Sequence, residues 1–393
     1  MGSALTPLSV LELGALLLCQ WGLARFALAR SYGRPAIRRG VRAAILFGAI
    51  GVVPGLVLGL RIIAYRLPFS PDVISWWHAA AYAWACLSTT TFALWRLLCL
   101  GELPTDPSRR KLMRAAAGGM LAAPTAVTGY GFFVERFNVK VREVELPVSA
   151  LPTDLEGLRL VQISDIHLSA FLSEFEFSRM IDAANEIRAH VALVTGDLIS
   201  VPRDPMDACL RQIARLRTDA GVIGCMGNHE LYTRSEDYAQ REGGRYGIDF
   251  LRQRAREFRF GTSIVNFGGV DYQRMERSSQ YLTGAERLIK RGAVNVLLSH
   301  NPDVFPVAAR QGWDVTVSGH THGGQVTVEI VEQFLNPARF LTPYVYGPYS
   351  SITTKKRVAL YVTRGLGTIG LPVRIGASPE IAVIRLTKSR AEG

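Results

Sequence analysis

The chain has 393 residues, 48% of them hydrophobic, with 45 Lys/Arg against 33 Asp/Glu and a formal net charge of +12. That apolar content excludes a disordered chain, which needs few apolar residues and high charge, and the length allows one large or two modest domains. The pI near 9.7 raises nucleic acid as a partner, so the location of the excess charge matters. Residues 1–114 hold thirteen Lys/Arg and four Asp/Glu, a net +9, which leaves +3 for the other 279 residues. The larger part carries no basic stripe interleaved with aromatics, so nucleic acid is not expected as a partner.

Taken in chain order, the first third is dominated by stretches without charge at 43–60, 73–95 and 115–134. A weaker run at 10–28 has Glu12 near one end and Arg25 near the other. About 20 residues at ~1.5 Å each span a ~30 Å hydrocarbon core. The expectation is an all-α transmembrane region of about four helices over 1–135, with the lipid bilayer as partner. Arg30, Arg34, Arg38, Arg39 and Arg42 form one basic loop, and Arg109, Arg110, Lys111 and Arg114 a second; the loop between them in the chain has Arg66, with Arg61 at a helix end. The positive-inside rule puts both basic loops in the cytoplasm. The protein is then multi-pass in the inner membrane, with everything after residue 135 extracytoplasmic. The segment 108–114, Ser-Arg-Arg-Lys-Leu-Met-Arg, resembles a twin-arginine export signal. An ordinary positive-inside flank explains it equally well.

Cys19, Cys86 and Cys99 fall in or beside these stretches, and Cys209 and Cys225 in the remainder. No CxxC pair exists, which removes a zinc ribbon or disulfide scaffold. A Cys209–Cys225 bond stays open.

Residues 136–393 read as one domain. Strands are predicted at 158–163, 191–195, 221–226, 294–298, 315–317, 357–362 and 380–386, and helices at 174–189, 207–216 and 304–310. Short apolar runs between helical patterns indicate α/β or α+β layers around a sheet. The chemistry sits where strands end. The run at 158–163 leads into Ser164-Asp165-Ile166-His167, and 191–195 into Gly196-Asp197. The run at 221–226 leads into Gly227-Asn228-His229-Glu230, 294–298 into Ser299-His300, and 315–317 into Ser318-Gly319-His320-Thr321-His322. Five such endings indicate one crevice outside the carboxyl edge of a sheet. One histidine alone is most simply a hydrogen-bonded structural residue; five of the chain's seven at strand ends are not.

Carboxylate, imidazole and amide donors suit Mn, Fe or Zn, and Mg less well. Asp165, His167, Asp197, Asn228, His300, His320 and His322 are too many for one tetrahedral zinc. Two divalent ions ~3.5–4 Å apart sharing a carboxylate would use them all. Asp197, a lone carboxylate on its own turn, is the natural bridge. A water shared by both ions would become the nucleophile on a phosphoester.

The series D-x-H, GD, GNH-E, SH and GHTH resembles the calcineurin-like metallophosphoesterases. GHTHGGQ at 319–325, with the segments 361–365 and 370–372, resembles their bacterial membrane-anchored branch. The resemblance implies a four-layer α/β/β/α sandwich as the catalytic domain, 136–393. It implies one metal held by Asp165, His167, Asp197 and His322, and another by Asp197, Asn228, His300 and His320. It implies that His229 lies over the phosphate as the catalytic acid. Glu230 and Arg364 are weaker substrate-binding candidates, Glu230 also as a residue orienting His229, and Asn301 is a candidate support for the centre. The function expected is a membrane-anchored hydrolase of phosphomonoesters, phosphodiesters or pyrophosphates, on a lipid-linked or envelope phosphate. The alternatives are a UDP-2,3-diacylglucosamine pyrophosphatase of lipid A synthesis and a non-enzymatic membrane sensor or binding module.

Overall fold

A computed structural model describes residues 7–58, 69–99, 106–327, 336–353 and 356–389. The chain divides into two compact units, residues 1–132 with 370–372, and 133–369 with 373–393.

The first unit is helical: α1 (Pro7–Arg30), α2 (Pro35–Leu58), α3 (Pro71–Leu98) and α4 (Pro107–Phe133). The transmembrane expectation is overturned. Among the described residues no helix is long and apolar enough to cross a membrane. The reason is that a stretch without charge is not thereby hydrocarbon. The stretch in α3 contains Trp76, Trp77, His78, Tyr82, Ser88 and Thr89–Thr91, and α4 contains Gly118, Gly119, Pro124, Thr125, Thr128 and Gly129. In α2 the first turns hold Arg38, Arg39 and Arg42, and Pro54 lies inside the helix. Several of these polar groups join helices. Gln20 donates to Ser88 Oγ (2.9 Å), Trp77 Nε1 to the Gly51 carbonyl (2.7 Å), and His78 Nδ1 lies 2.9 Å from the Gly55 carbonyl. A small apolar cluster of Leu56, Ala81 and Ala85 forms the buried centre, while Leu18, Trp21, Ile50 and Trp84 are each more than half exposed. The multi-pass inner-membrane placement and the sidedness derived from it fall with the spans. The loop with Arg61 and Arg66 lies outside the described residues. The 108–114 segment forms the first turns of α4, where Asp106 Oδ1 accepts from the Arg109 amide (2.7 Å).

The second unit contains β1 (Lys140–Val148), β2 (Arg159–Ile163), α5 (Glu174–Glu186), β3 (Val191–Thr195), α6 (Met206–Ile213), β4 (Gly221–Cys225), α7 (Asn228–Thr233), α8 (Glu236–Arg245) and β5 (Ile248–Phe250). It continues with β6 (Arg254–Phe260), β7 (Ser263–Gly269), β8 (Val294–Leu298), α9 (Phe305–Gln311), β9 (Val315–Ser318), β10 (Gly347–Ile352), β11 (Arg357–Val362) and β12 (Glu380–Lys388). Two six-stranded sheets result, ordered β1-β12-β2-β3-β4-β5 and β10-β11-β9-β8-β7-β6.

The two-residue period of a strand explains the layering. In β3, Val191 and Leu193 face the second sheet, while Ala192 and Val194 face the helices. The inner layer adds Leu160, Ile223, Phe267, Val296, Val317, Tyr361 and Ile384, drawn from both sheets. Burying such side chains contributes roughly 1.5–3 kcal/mol each. The outer face of the first sheet is covered by α5 and α6 through Phe177, Met180, Ile181, Leu210 and Ile213. The outer face of the second packs Leu297, Leu360 and Val362 against α9 and its neighbours, including Phe305, Ala308 and Trp313. The result is a helix, sheet, sheet, helix stack.

The α5 helix shows how sequence sets an element. Ser173 caps it in a reciprocal box with Glu176, and Phe177, Met180, Ile181 and Ala184 fall on the buried face. It stops at Glu186, short of the predicted 189, because Arg188 takes a left-handed φ of 53°. Cys209 and Cys225 are both free thiols, buried separately.

The topology positions the site. Strands β2, β3 and β4 run parallel, as do β7, β8 and β9. Their carboxyl ends meet across the interface: Gln162 Nε2 donates to Thr195 Oγ1 (2.8 Å) and to the Ser318 carbonyl of the second sheet (2.9 Å).

Candidate metal centre

Each strand end turns sharply into its functional residue. Asp165, His167, Asp197, His320 and His322 all adopt positive φ, between 48° and 77°. Such a conformation costs a non-glycine residue of order 1–3 kcal/mol and persists only where its surroundings fix it. The turns also pack too tightly for extra side-chain atoms. A Cβ at Gly227 would fall on Asp197 Oδ1, and one at Gly365 would meet the Asp165 side chain.

The structure brings Asp165, His167, Asp197, His229, His300, His320 and His322 together. Asp165, His167 and His322 place one ligand atom each within 4.8 Å of one another, and so do Asp197, His300 and His320. A third such group is His167, Asp197 and His229. In the first group His167 Nε2 and His322 Nε2 are 3.2 Å apart, and His322 Nε2 is 3.5 Å from Asp165 Oδ1. Two imidazole nitrogens on one tetrahedral ion, each ~2.1 Å from it, stand about 3.4 Å apart.

Asp197 lies between the groups. Its Oδ2 is 3.5 Å from His167 Nε2 and 3.1 Å from His300 Nε2, while its Oδ1 accepts from the His229 amide (2.9 Å). The imidazoles are oriented from behind. His167 Nδ1 is 3.1 Å from Ser200 Oγ, His229 Nδ1 donates to the Ser200 carbonyl (2.8 Å), and His300 Nδ1 donates to the Thr195 carbonyl (2.6 Å). The Nε2 atom of each ring is thereby the one presented to the centre.

The charges follow from burial. Burial pushes His320 and His322 down to about 3, with His300 and Arg374 respectively adding to the effect. Burial also drives His167 well below its usual value. These rings are neutral at pH 7, as metal ligands must be. His300 moves the other way: burial opposes its charge, but Asp197 beside it raises it to about 10, so this ring must release a proton to hold a metal. Burial raises the Asp165 carboxyl, and Asp197 adds to this against His300. Asp197 is held well below the carboxylate range because His300, His229 and His167 outweigh its burial.

Several donors lack any protein partner. Asp165 Oδ2, Asn228 Oδ1 and His322 Nδ1 are buried without a hydrogen bond. A buried polar atom left unpaired costs roughly 1–3 kcal/mol, and a cation would satisfy the two oxygens. The donor set therefore fits two divalent ions, and the clustered His and Asp groups suit a dinuclear site.

The weaker candidates are placed differently from what a sequence suggests. Glu230 is fully buried. Its Oε2 accepts from the amides of Asp197 (2.9 Å) and Gly227 (2.8 Å), and its Oε1 from that of Leu198 (2.8 Å). It braces two turns. Burial, with Asp197 adding, raises it to about 7. Arg364 is 5% exposed, stacked 3.9 Å over the Tyr346 ring and donating to the Gly376 carbonyl (3.1 Å). Asn301 Nδ2 donates to the Gln273 carbonyl (2.7 Å) and Tyr281 Oη (3.1 Å).

Four residues went unnoticed in the sequence: Thr195, Ser200, Tyr272 and Arg374. Arg374 is wholly buried and donates only to carbonyls, those of Gly367, Ala377, Arg364 and Gly365. That strap in turn donates from Leu366 and Gly367 to the Ser164 and Asp165 carbonyls. Nothing in a lone arginine far along the chain signals this. Ser200 had a usable signal, lying three residues after Asp197 in the same turn.

Residues 158–324 match the calcineurin-like phosphoesterase family. The chain is 28% identical over 329 residues to a "Transmembrane protein with metallophosphoesterase domain" of Danio rerio, covering 78% of this chain and 73% of that protein. It is 28% identical over 286 residues to the "Uncharacterized metallophosphoesterase YkuE" of Bacillus subtilis, covering 71% and 97%. A Helicobacter pylori "Uncharacterized metallophosphoesterase" is 24% identical over 292 residues, covering 71% and 73%.

Proposed function

Since this chain belongs to the calcineurin-like metallophosphoesterase superfamily and is a metal-dependent phosphoesterase, we propose that it hydrolyses its ester at the centre built from Asp165, His167, Asp197, Asn228, His300, His320 and His322. The observation that carries this reading is Asp197 Oδ2, one carboxylate oxygen facing both His167 Nε2 and His300 Nε2. In it, Asp165, His167, Asp197 and His322 would hold one ion, and Asp197, Asn228, His300 and His320 the other. When bound, two such ions polarise phosphate oxygens, neutralise their charge and acidify water. The N/O donor set, without thiolate, favours Mn, Fe or Zn.

The protein's own groups do the rest. Glu230 and the strap held by Arg374 fix the turns that aim the ligands. His229 keeps one proton on Nδ1, bonded to the Ser200 carbonyl, so its imidazolium form presents Nε2–H to the departing oxygen. Proton donation there is general-acid catalysis. The preference for a lipid-linked phosphate rested on helices in a bilayer, and that support is gone. The ester class stands as phosphomonoester, phosphodiester or pyrophosphate.

Bis(p-nitrophenyl) phosphate and p-nitrophenyl phosphate test the reading. Chelator-treated protein should be inactive, and Mn or Zn should restore hydrolysis of at least one ester. Activity indifferent to chelation, with the metals shown to be removed, would contradict it.

A further inference from the structure

The loop that follows β7 has no part in the metal centre, yet it is built against it. Tyr272 Oη lies 3.4 Å from His320 Nε2, and its ring centroid is 5.4 Å from that of His320. The loop is braced at several points. Asn301, next to His300, donates to the Gln273 carbonyl and to Tyr281 Oη. Gln273 accepts from the Leu282 amide (2.9 Å) and donates to the Asp271 carbonyl (2.8 Å). Asp271 is gripped by Arg252 through Nε (2.8 Å) and Nη2 (3.0 Å). A surface loop with no task would not need its carbonyls tied to the residue after a buried histidine.

Between these braces the loop encloses a groove of about 420 Å³, lined among others by Tyr272, Arg274, Arg277 and Gln280. Arg274 and Arg277 are exposed. Among the described residues neither makes an ion pair, because Asp271 is already committed to Arg252. The loop's own Glu276 offsets only one of the two charges. Two guanidinium groups with donors to spare suit a phosphate, which accepts paired N–H bonds from each. Tyr272 lines the groove and also stands against His320, so the groove lies beside the centre.

We propose that this groove binds a second phosphate of the substrate, distinct from the one being hydrolysed, through Arg274 and Arg277. The inference rests on the hydrolytic reading above and narrows its substrate class to esters that carry two phosphates.

The test compares thymidine 5′-(p-nitrophenyl phosphate) with and without a 3′-phosphate, on the metal-loaded wild type and on the Arg274→Ala/Arg277→Ala and Arg274→Lys/Arg277→Lys variants. The wild type should prefer the bisphosphorylated ester in KM by about tenfold or more. That ratio should collapse toward one in the double-alanine variant and be partly kept in the double-lysine variant. Equal KM values in the wild type, or a ratio that survives the double-alanine change, would overturn the proposal. Calorimetric titration of the same two esters reads the groove without turnover. If no ester is hydrolysed but the arginine-dependent preference persists in binding, the hydrolytic reading falls and the groove stands. If neither hydrolysis nor preferential binding occurs, both fall.

Discussion

His229→Ala is expected to keep its metals and lose turnover by about 10²–10⁴-fold, the range ascribed to a positioned acid or base. The expectation follows from two contacts. The ring is anchored through Nδ1 to the Ser200 carbonyl, and its amide, not its ring, bonds Asp197 Oδ1. Removing the imidazole therefore leaves the Asp197 turn tied as before. The ring does stand 4.7 Å from that of His167 at nearly a right angle, close enough for a ligand. Two measurements separate an acid from a ligand. Metal analysis of the variant should match the wild type. The loss should also be larger for an alkyl ester, whose alkoxide needs a proton to leave, than for a p-nitrophenyl ester, which leaves unassisted. A variant that lacks an ion would make His229 a ligand, and an equal loss on both esters would remove its role as acid.

Glu230→Ala is expected to be the most disruptive change outside the ligands. The substitution leaves the amides of Asp197, Leu198 and Gly227 buried without their acceptor. At roughly 1–3 kcal/mol for each unpaired group, the gross loss is several kcal/mol. Relief from burying a carboxylate raised to about 7 returns part of it. Glu230→Gln keeps one acceptor oxygen and turns an NH₂ toward backbone donors, so it should lower the melting temperature less. It should still weaken metal binding or kcat by about 10–100-fold, as loss of a group supporting metal ligands does. Thermal melts with and without Mn check both. A Glu230→Gln protein with unchanged metal affinity and turnover would show that the brace is dispensable.

The proposed ligands were legible because each sits within a few residues of a short apolar strand, at a turn of small residues. Asp165, Asp197, Asn228, His300 and His320 all declare themselves that way. Glu230 and Asn301 stood out beside their motifs, but the partners they support were not legible, since each bonds a turn that follows a different strand. Glu230 reaches from the turn after β4 to the turn after β3, and Asn301 joins β8 to a loop about 28 positions earlier. Strands β1, β6 and β10 escape the sequence because they are edge strands with polar, exposed faces. The membrane reading failed for a different reason. Those stretches lack charge, but in α3 and α4 about half of their side chains are aromatic, hydroxyl or glycine.

The central claim is a centre for two ions bridged by Asp197, and metal stoichiometry tests it most directly. Protein saturated with Mn or Zn and freed of excess should hold two ions per chain by elemental analysis, and Asp197→Asn should retain fewer than two and no activity. A wild type that holds one ion at full activity, or an Asp197→Asn protein that still holds two, would contradict it.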